Sequence, residues 1–243
     1  ESQTGSTIMT TTGGLLFDSG IQSWAKHGSE GFFERTVKFA QEGNIPYEVF
    51  DAQELRKRFS EFNLKESGKV YFEPSAGFLR PELAISTQLQ LAGQNDAVIK
   101  THTKVLSISP LSGGGVQIQT NQGTFEAAQA VISAGPWVKD FLPSFVKTQF
   151  KICRQILHWI PKKGKAFELG KTPIFMWGYD SGPEDFIYGF PSLDGATIKV
   201  ASESFVERNH PDTILRDVSA AECEDFIQNK IANRFNHIEK KVV

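Results

Sequence analysis

Residues 185–204 read DFIYGFPSLDGATIKVASES, and the reading of this stretch decides the fold. Two short strand-like runs, Phe186–Phe190 and Ala196–Ala201, flank Pro-Ser-Leu-Asp-Gly, whose Asp194-Gly195 pair is a strong hairpin signal. Side chains alternate along a strand, so Thr197, Lys199 and Ala201 share one face while Ile198 and Val200 share the other. A lysine is thereby set among apolar or small neighbours, beside an aromatic strand that carries Tyr188. Two uses of such a lysine stay open here: a charge that protects an edge strand, or a working cation.

Downstream, Ser219-Ala-Ala-Glu222 is a capping box opening a helix to about Phe235, with Cys223, Ile227, Ile231 and Arg234 on one stripe. Upstream, residues 149–204 hold four strand runs. Ala130–Ser133 (AVIS) is an uninterrupted apolar run, as expected of a strand buried on both faces, and Ala134-Gly135-Pro136 turns it into a short helix, Trp137–Leu142. Before it, Lys104–Ser109, Val116–Thr120 and Thr124–Ala127 form a three-stranded meander joined by glycine-rich turns. Pro81-Glu82 starts a helix to about Ala92 that stops at Gly93, and Ala97–Ile99 reads as a strand. In the first eighty residues, Thr7–Phe17 reads as strand, Gly-Gly bend, strand. Ser29 is the expected cap of a helix to Gln41, followed by a strand at Tyr47–Phe50, a helix capped by Asp51 and a strand at Lys69–Phe72. The pattern is a mixed α+β fold in two lobes, with the chain crossing near residue 80 and again near 145–150.

The bulk numbers narrow the function. The 243 residues suffice for a sizeable core, and a net charge of −2 gives no reason to expect nucleic acid or an anionic membrane. No run approaches the length of a membrane span, and the polar opening ESQTGS is no signal peptide. Cys153 and Cys223 match no metal or redox spacing, so a reducing, cytoplasmic location is expected. The five histidines (His27, His102, His158, His210, His237) show no ligand spacing, and no metal is expected. Twenty phenylalanines against four tyrosines suit a large core or an apolar pocket.

Three stretches add a resemblance. Glu73–Gln90 (EPSAGFLRPELAISTQLQ), Ala130–Pro143 (AVISAGPWVKDFLP) and Tyr188–Lys199 (YGFPSLDGATIK) resemble, in order and spacing, the monomeric sarcosine oxidase and N-methyltryptophan oxidase group of D-amino-acid-oxidase-like flavoenzymes. The resemblance implies a substrate-binding lobe with an antiparallel sheet, in residues 1–80 and 149–243, around the central part of an FAD-binding-type lobe, residues 81–148. It places Ser133, Ala134, Gly135 and Trp137 close to the flavin nucleotide, where a backbone without bulk can approach the cofactor. It sets Val105 against the adenine. Lys199 matches the lysine over the flavin ring that activates oxygen, since a fixed cation in a dry pocket stabilises superoxide as it forms. Tyr188 and Met176 match the wall of the substrate pocket.

Departures from the family pattern carry their own expectations. No strand–G-x-G-x-x-G–helix unit is present to cradle the FAD pyrophosphate, and neither cysteine matches the one that links the flavin. The chain, which lacks an initiator methionine, is therefore expected to be the middle of such an enzyme, holding no FAD by itself and inactive alone. Its uncovered apolar faces are expected to favour self-association. The parent activity implied is oxidation of an N-methyl amino acid by oxygen, giving formaldehyde and hydrogen peroxide. A related flavoprotein dehydrogenase or glycine-oxidase-like protein, and a non-catalytic ligand-binding module, remain as alternatives.

Overall fold

A computed structural model describes residues 4–20, 25–26, 29–180, 182 and 184–243. The elements begin with β1 (Met9–Thr11), β2 (Gly14–Asp18) and the two-residue strands β3 (Ala25–Lys26) and β4 (Ser29–Glu30). Next come α1 (Phe32–Glu42), β5 (Glu48–Asp51), α2 (Ala52–Arg58), β6 (Lys69–Glu73), β7 (Gly77–Leu79) and α3 (Pro81–Gln94). The middle holds β8 (Val105–Pro110), β9 (Val116–Thr120), β10 (Gly123–Ala127), a 3-10 helix at Gly135–Phe141 and the single turn α4 (Ser144–Lys147). Then follow β11 (Ile152–Cys153), β12 (Leu157–Pro161), β13 (Ile174–Gly178), β14 (Phe186–Phe190), β15 (Thr197–Ser202) and β16 (Glu207–Arg208). A 3-10 turn at Pro211–Thr213, α5 (Ala220–Asp225) and a π-helical turn at Phe226–Ile231 complete the set.

The chain divides into two compact units: Glu1–Pro81, Gln155–Phe205 and Arg216–Val243 form the first, Glu82–Arg154 and Val206–Leu215 the second. In this division residues 149–154 and 206–215 go with the middle of the chain.

The first unit is built on a seven-stranded sheet, order β12-β15-β14-β13-β2-β6-β5, antiparallel except for the β13–β2 pair. Strand β2 reads GLLFD with no polar alternation, which is how a strand covered on both faces reads. Leu15 and Phe17 point to one face and Leu16 to the other, and all three are buried. The first face carries Phe175, Trp177, Ile187, Ile198 and Val200. Helix α2 and the aromatic residues after it cover this face, together with the C-terminal segment through Phe226, Ile231 and Phe235. Phe62 sits at the centre, its ring centroid 5.1 Å from Phe17, 5.2 Å from Phe175 and 5.8 Å from Phe235. Each such side chain, fully buried, contributes roughly 1.5–3 kcal/mol, so this aromatic layer dominates the unit's stability. On the opposite face Phe33 and Ala40 of α1 pack on Leu16 and Tyr71, with Phe186 of β14 in the same cluster, and Phe78 of β7 meets Phe190 at 6.1 Å.

Several boundaries differ from the sequence reading. Helix α1 is capped by Gly31 in the left-handed region (φ 64), not by Ser29, whose backbone pairs with Lys26. The Ser219 capping box is formed, but α5 gives way to a π turn at Phe226, with Ala232 N–H donating to Ile227 O. Phe226, Ile227 and Ile231 all reach the core, and the wider turn narrows the arc over which they do so. His27 lies outside the described residues.

In the second unit, β8, β9 and β10 form the expected meander. Helix α3 runs past Gly93 to Gln94 and buries only Thr87. Two expected strands are absent. Ala97–Ile99 and Ala130–Ser133 make no ladder, and Val131, expected to be buried on both faces, is 91% exposed. A strand needs a partnered edge, and among the described residues none pairs with either run; β-rich composition alone does not hold them in a sheet.

Candidate active site

The hairpin β14–β15 is held by its turn. Asp194 accepts from the backbone N–H of Ala196 and Thr197 and from the Thr197 hydroxyl, at 2.7–2.8 Å, while Gly195 takes φ 76. These bonds, the Thr197 backbone first, hold the Asp194 carboxyl well below the usual carboxylate range. Behind the hairpin, Gly189 faces the core, where a Cβ would collide with the Phe175 ring and stand 2.7 Å from the carbonyl of Lys199. Only glycine allows this close approach of β14 to its neighbours.

Ladder register then fixes what surrounds Lys199. Trp159 of β12 and Phe190 of β14 lie directly opposite it on either side. Its ammonium stands 5.7 Å from the Trp159 ring centroid and 5.3 Å from that of Phe190. Lys199 is half-buried, and among the described residues no carboxylate pairs with it. An unneutralised ammonium is thus held between two aromatic rings, on the face of the sheet that the core helices leave open. It is not an edge charge: β15 lies between β12 and β14.

On the same face Tyr188 is paired with Met176 on one side and Ala201 on the other. Burial, and then the charge of Glu203, push the Tyr188 phenol upward, so it stays protonated at neutral pH. Met176, 44% exposed, borders a pocket of about 210 Å³ lined also by Leu16, Phe32, Thr36, Tyr71 and Ile174. Its polar rim is Glu73, which accepts from the Tyr71 hydroxyl at 2.8 Å and the Ser75 hydroxyl at 2.7 Å. Burial and that bond drive the Tyr71 phenol far up, keeping it a donor. A pocket this size holds a group of side-chain dimensions, not a whole cofactor.

The first unit therefore brings Lys199, Tyr188 and Met176 onto one sheet face. Val105 and residues 133–137 belong to the second unit. Val105 is half-buried at a bulge in β8. Ser133 and Gly135 are exposed, and Gly135 takes φ 52 with open space where a Cβ would stand. Trp137 donates its indole N–H to Asp212 at 2.8 Å. Trp159 and Phe190, the rings that hold Lys199, went unnoticed in the sequence; only strand pairing makes them neighbours. The lining residues Leu16, Tyr71 and Glu73 were missed for the same reason.

A family model described as DAO, FAD dependent oxidoreductase, matches residues 3–242. The chain belongs to this family of FAD-dependent oxidoreductases. Among curated relatives, monomeric sarcosine oxidase of Streptomyces avermitilis is 30% identical over 229 residues, covering 92% of this chain and 56% of the relative. N-methyl-L-tryptophan oxidase of Yersinia pestis is 28% identical over 166 residues, covering 68% of this chain and 43% of the relative. The chain thus spans about half the length of the curated relatives it matches. Among solved structures, NikD, described as an unusual amino acid oxidase essential for nikkomycin biosynthesis, superposes with a TM-score of 0.76 at 16% identity, over 100% of this chain and 61% of that one. Glycine oxidase from Geobacillus kaustophilus gives 0.60 at 18% identity, over 96% and 57%. Both likenesses support the same mixed fold. Among the described residues no helix is long and apolar enough to cross a membrane.

Proposed function

We propose that the whole protein of which this chain forms part oxidises the N-methyl group of a small amino acid, with oxygen as acceptor. Formaldehyde, hydrogen peroxide and the primary amine are the products. The single observation that carries this reading is the Lys199 ammonium, held without a carboxylate partner between Trp159 and Phe190. FAD, when bound, supplies the two-electron acceptor. Lys199 supplies a fixed positive charge that stabilises the negative charge developing on oxygen, and the rings on either side keep it in place and limit its hydration. Tyr188 and Met176 wall the amine site. The pocket beside Met176 takes the apolar substituent, which favours an N-methyl amino acid with a hydrophobic side chain.

The residues of the second unit fit contact with part of FAD. Gly135 leaves its backbone open, and the small Ser133 and Ala134 precede it. Our reading gives Val105 and Trp137 to the same cofactor, with the family likeness as its support. The 243 residues contain no strand–G-x-G-x-x-G–helix unit, so a tight grip on the pyrophosphate is not expected from this chain alone. Purified by itself, the chain should show no stoichiometric flavin absorbance and no oxidase turnover; a yellow protein would overturn that expectation.

The oxygen role is tested in the whole protein by stopped-flow absorbance. Lys199→Met should slow reoxidation by oxygen by about a hundredfold or more, with flavin reduction by substrate changed little. Equal slowing of both half-reactions would make Lys199 a general structural support. No slowing of either would remove it from the mechanism and favour a dehydrogenase or a non-catalytic ligand-binding module.

A further inference from the structure

The unit that carries Lys199 has a second concavity, which the oxidase reading leaves without a use. It is a cleft of about 450 Å³, roughly twice the pocket beside Met176. Three separate stretches line it: the end of α2 and the residues after it, the loop between β12 and β13, and His237 near the C-terminus. Arg58, Lys163, Lys165 and Lys171 all line the cleft, against one lining carboxylate, Glu61. Glu61 is buried and accepts the hydroxyl of Thr172, which also lines the cleft.

Pairing reduces this charge only in part. Arg58 meets Glu48 at 2.7 Å and lies over the ring of Phe50, and Lys171 meets Glu168 at 2.5 Å. Lys163 and Lys165 have no carboxylate within ion-pair distance among the described residues, although Glu239 and Glu168, outside the lining, feel their charge. The backbone between them adds donors. Ala166 N–H closes a turn onto Lys163 O, and Lys163 N–H ties that turn to His237 O. The two central amides of the turn, at Gly164 and Lys165, donate to nothing among the described residues, and Gly164 sits in the left-handed region at φ 59. A solubilising lysine-rich loop needs neither a concavity nor a tie to the far end of the chain. Here both are present, with uncompensated cations and unused N–H groups in one place.

We propose that this cleft binds a small polyanion bearing phosphate or carboxylate groups, at a site separate from the open face that carries Lys199. Lys163 and Lys165 supply the main attraction, and the Gly164–Lys165 amides orient the anion. Isothermal titration of the 243-residue chain with inorganic pyrophosphate, and separately with citrate, tests it at low ionic strength. Saturable binding of at least one anion is expected, weakening as salt is added. The double variant Lys163→Gln/Lys165→Gln should bind about tenfold more weakly, and Lys163→Arg/Lys165→Arg should keep the parent affinity. Lys199→Met should also leave it unchanged. Binding of pyrophosphate alone assigns a phosphate-bearing ligand, of citrate alone a carboxylate-bearing one, and of both a site that reads charge. Absence of saturable binding by either anion at millimolar concentration, or equal affinity in the glutamine variant, overturns the proposal. All three substituted proteins are first compared by circular dichroism; the arginine pair separates loss of charge from loss of fold.

Discussion

The two units of this chain bury their apolar residues very differently. In the first, phenylalanines from β2, β13, the segment after α2 and the C-terminal segment interlock around Phe62, and they cover one sheet face together with helix α2. In the second, α3 buries only Thr87, and Ile85, Leu89, Val98 and Val131 remain exposed. Both units come from sequence of similar apolar content, so composition did not decide the outcome. What differs is partnership: in the first unit each apolar strand has neighbours on both sides or a helix on top, whereas two apolar runs of the second have neither. The first unit thus carries its own core, and the second depends on added surface for its burial.

The largest expected effect strikes at the first unit's core. Phe62→Ala should destabilise by about 3–5 kcal/mol in denaturant unfolding, because it removes the ring at the centre of the cluster. A loss below 1 kcal/mol would mean that the two units are less unlike than described.

Next is pH. His158 lies on the core side of β12, stacked on Phe226 at 3.8 Å, with neither ring nitrogen hydrogen-bonded. Burial pushes its pKa down from 6.5 to about 4, with the charge of Glu222 working the other way. The folded state then binds fewer protons than the unfolded one between those values. Stability is full above about pH 6.5 and falls as the pH drops towards 4, by up to about 3 kcal/mol. His158→Phe should flatten that part of the profile, measured by urea midpoints from pH 4 to 7.

A smaller loss, about 1–3 kcal/mol, is expected from Gly189→Ala, which pushes a methyl group against Phe175 and the Lys199 carbonyl. The smallest effect belongs to the second unit. Val131→Asp should change the thermal midpoint hardly at all, by about 0.5 kcal/mol or less, while reducing any self-association seen by sedimentation velocity. A large destabilisation there would show that Val131 is covered after all and would undo the contrast between the units.

Local signals explain how much of this was legible. The Asp194-Gly195 turn, the alternation in residues 197–202, the Asp51 cap and the Ser219 box are short-range features, and each appears where the residues place it. The sequence also brought Lys199, Tyr188 and Met176 into view together. It could not show that Trp159 flanks the lysine, because that contact depends on pairing between positions 40 residues apart, and Phe190, nine residues from Lys199 across the expected hairpin, is set opposite it only by the ladder register. The π turn at Phe226 escaped notice since an apolar stripe looks the same with one residue more. Ala130–Ser133 misled for the opposite reason: its residues are strand-like, but a strand is a property of two segments.

The parallel pairing of β2 with β13 joins residues 14–18 to residues 174–178, with the larger part of the second unit, Glu82–Arg154, between them in the chain. During synthesis β2 must wait for more than half of the polypeptide to emerge before its second neighbour exists, and longer still for Phe226 and Phe235 to close the core. Assembly of the lysine-bearing sheet is therefore a late event at the ribosome. Until then, Leu15 and Phe17 lack most of the side chains that bury them.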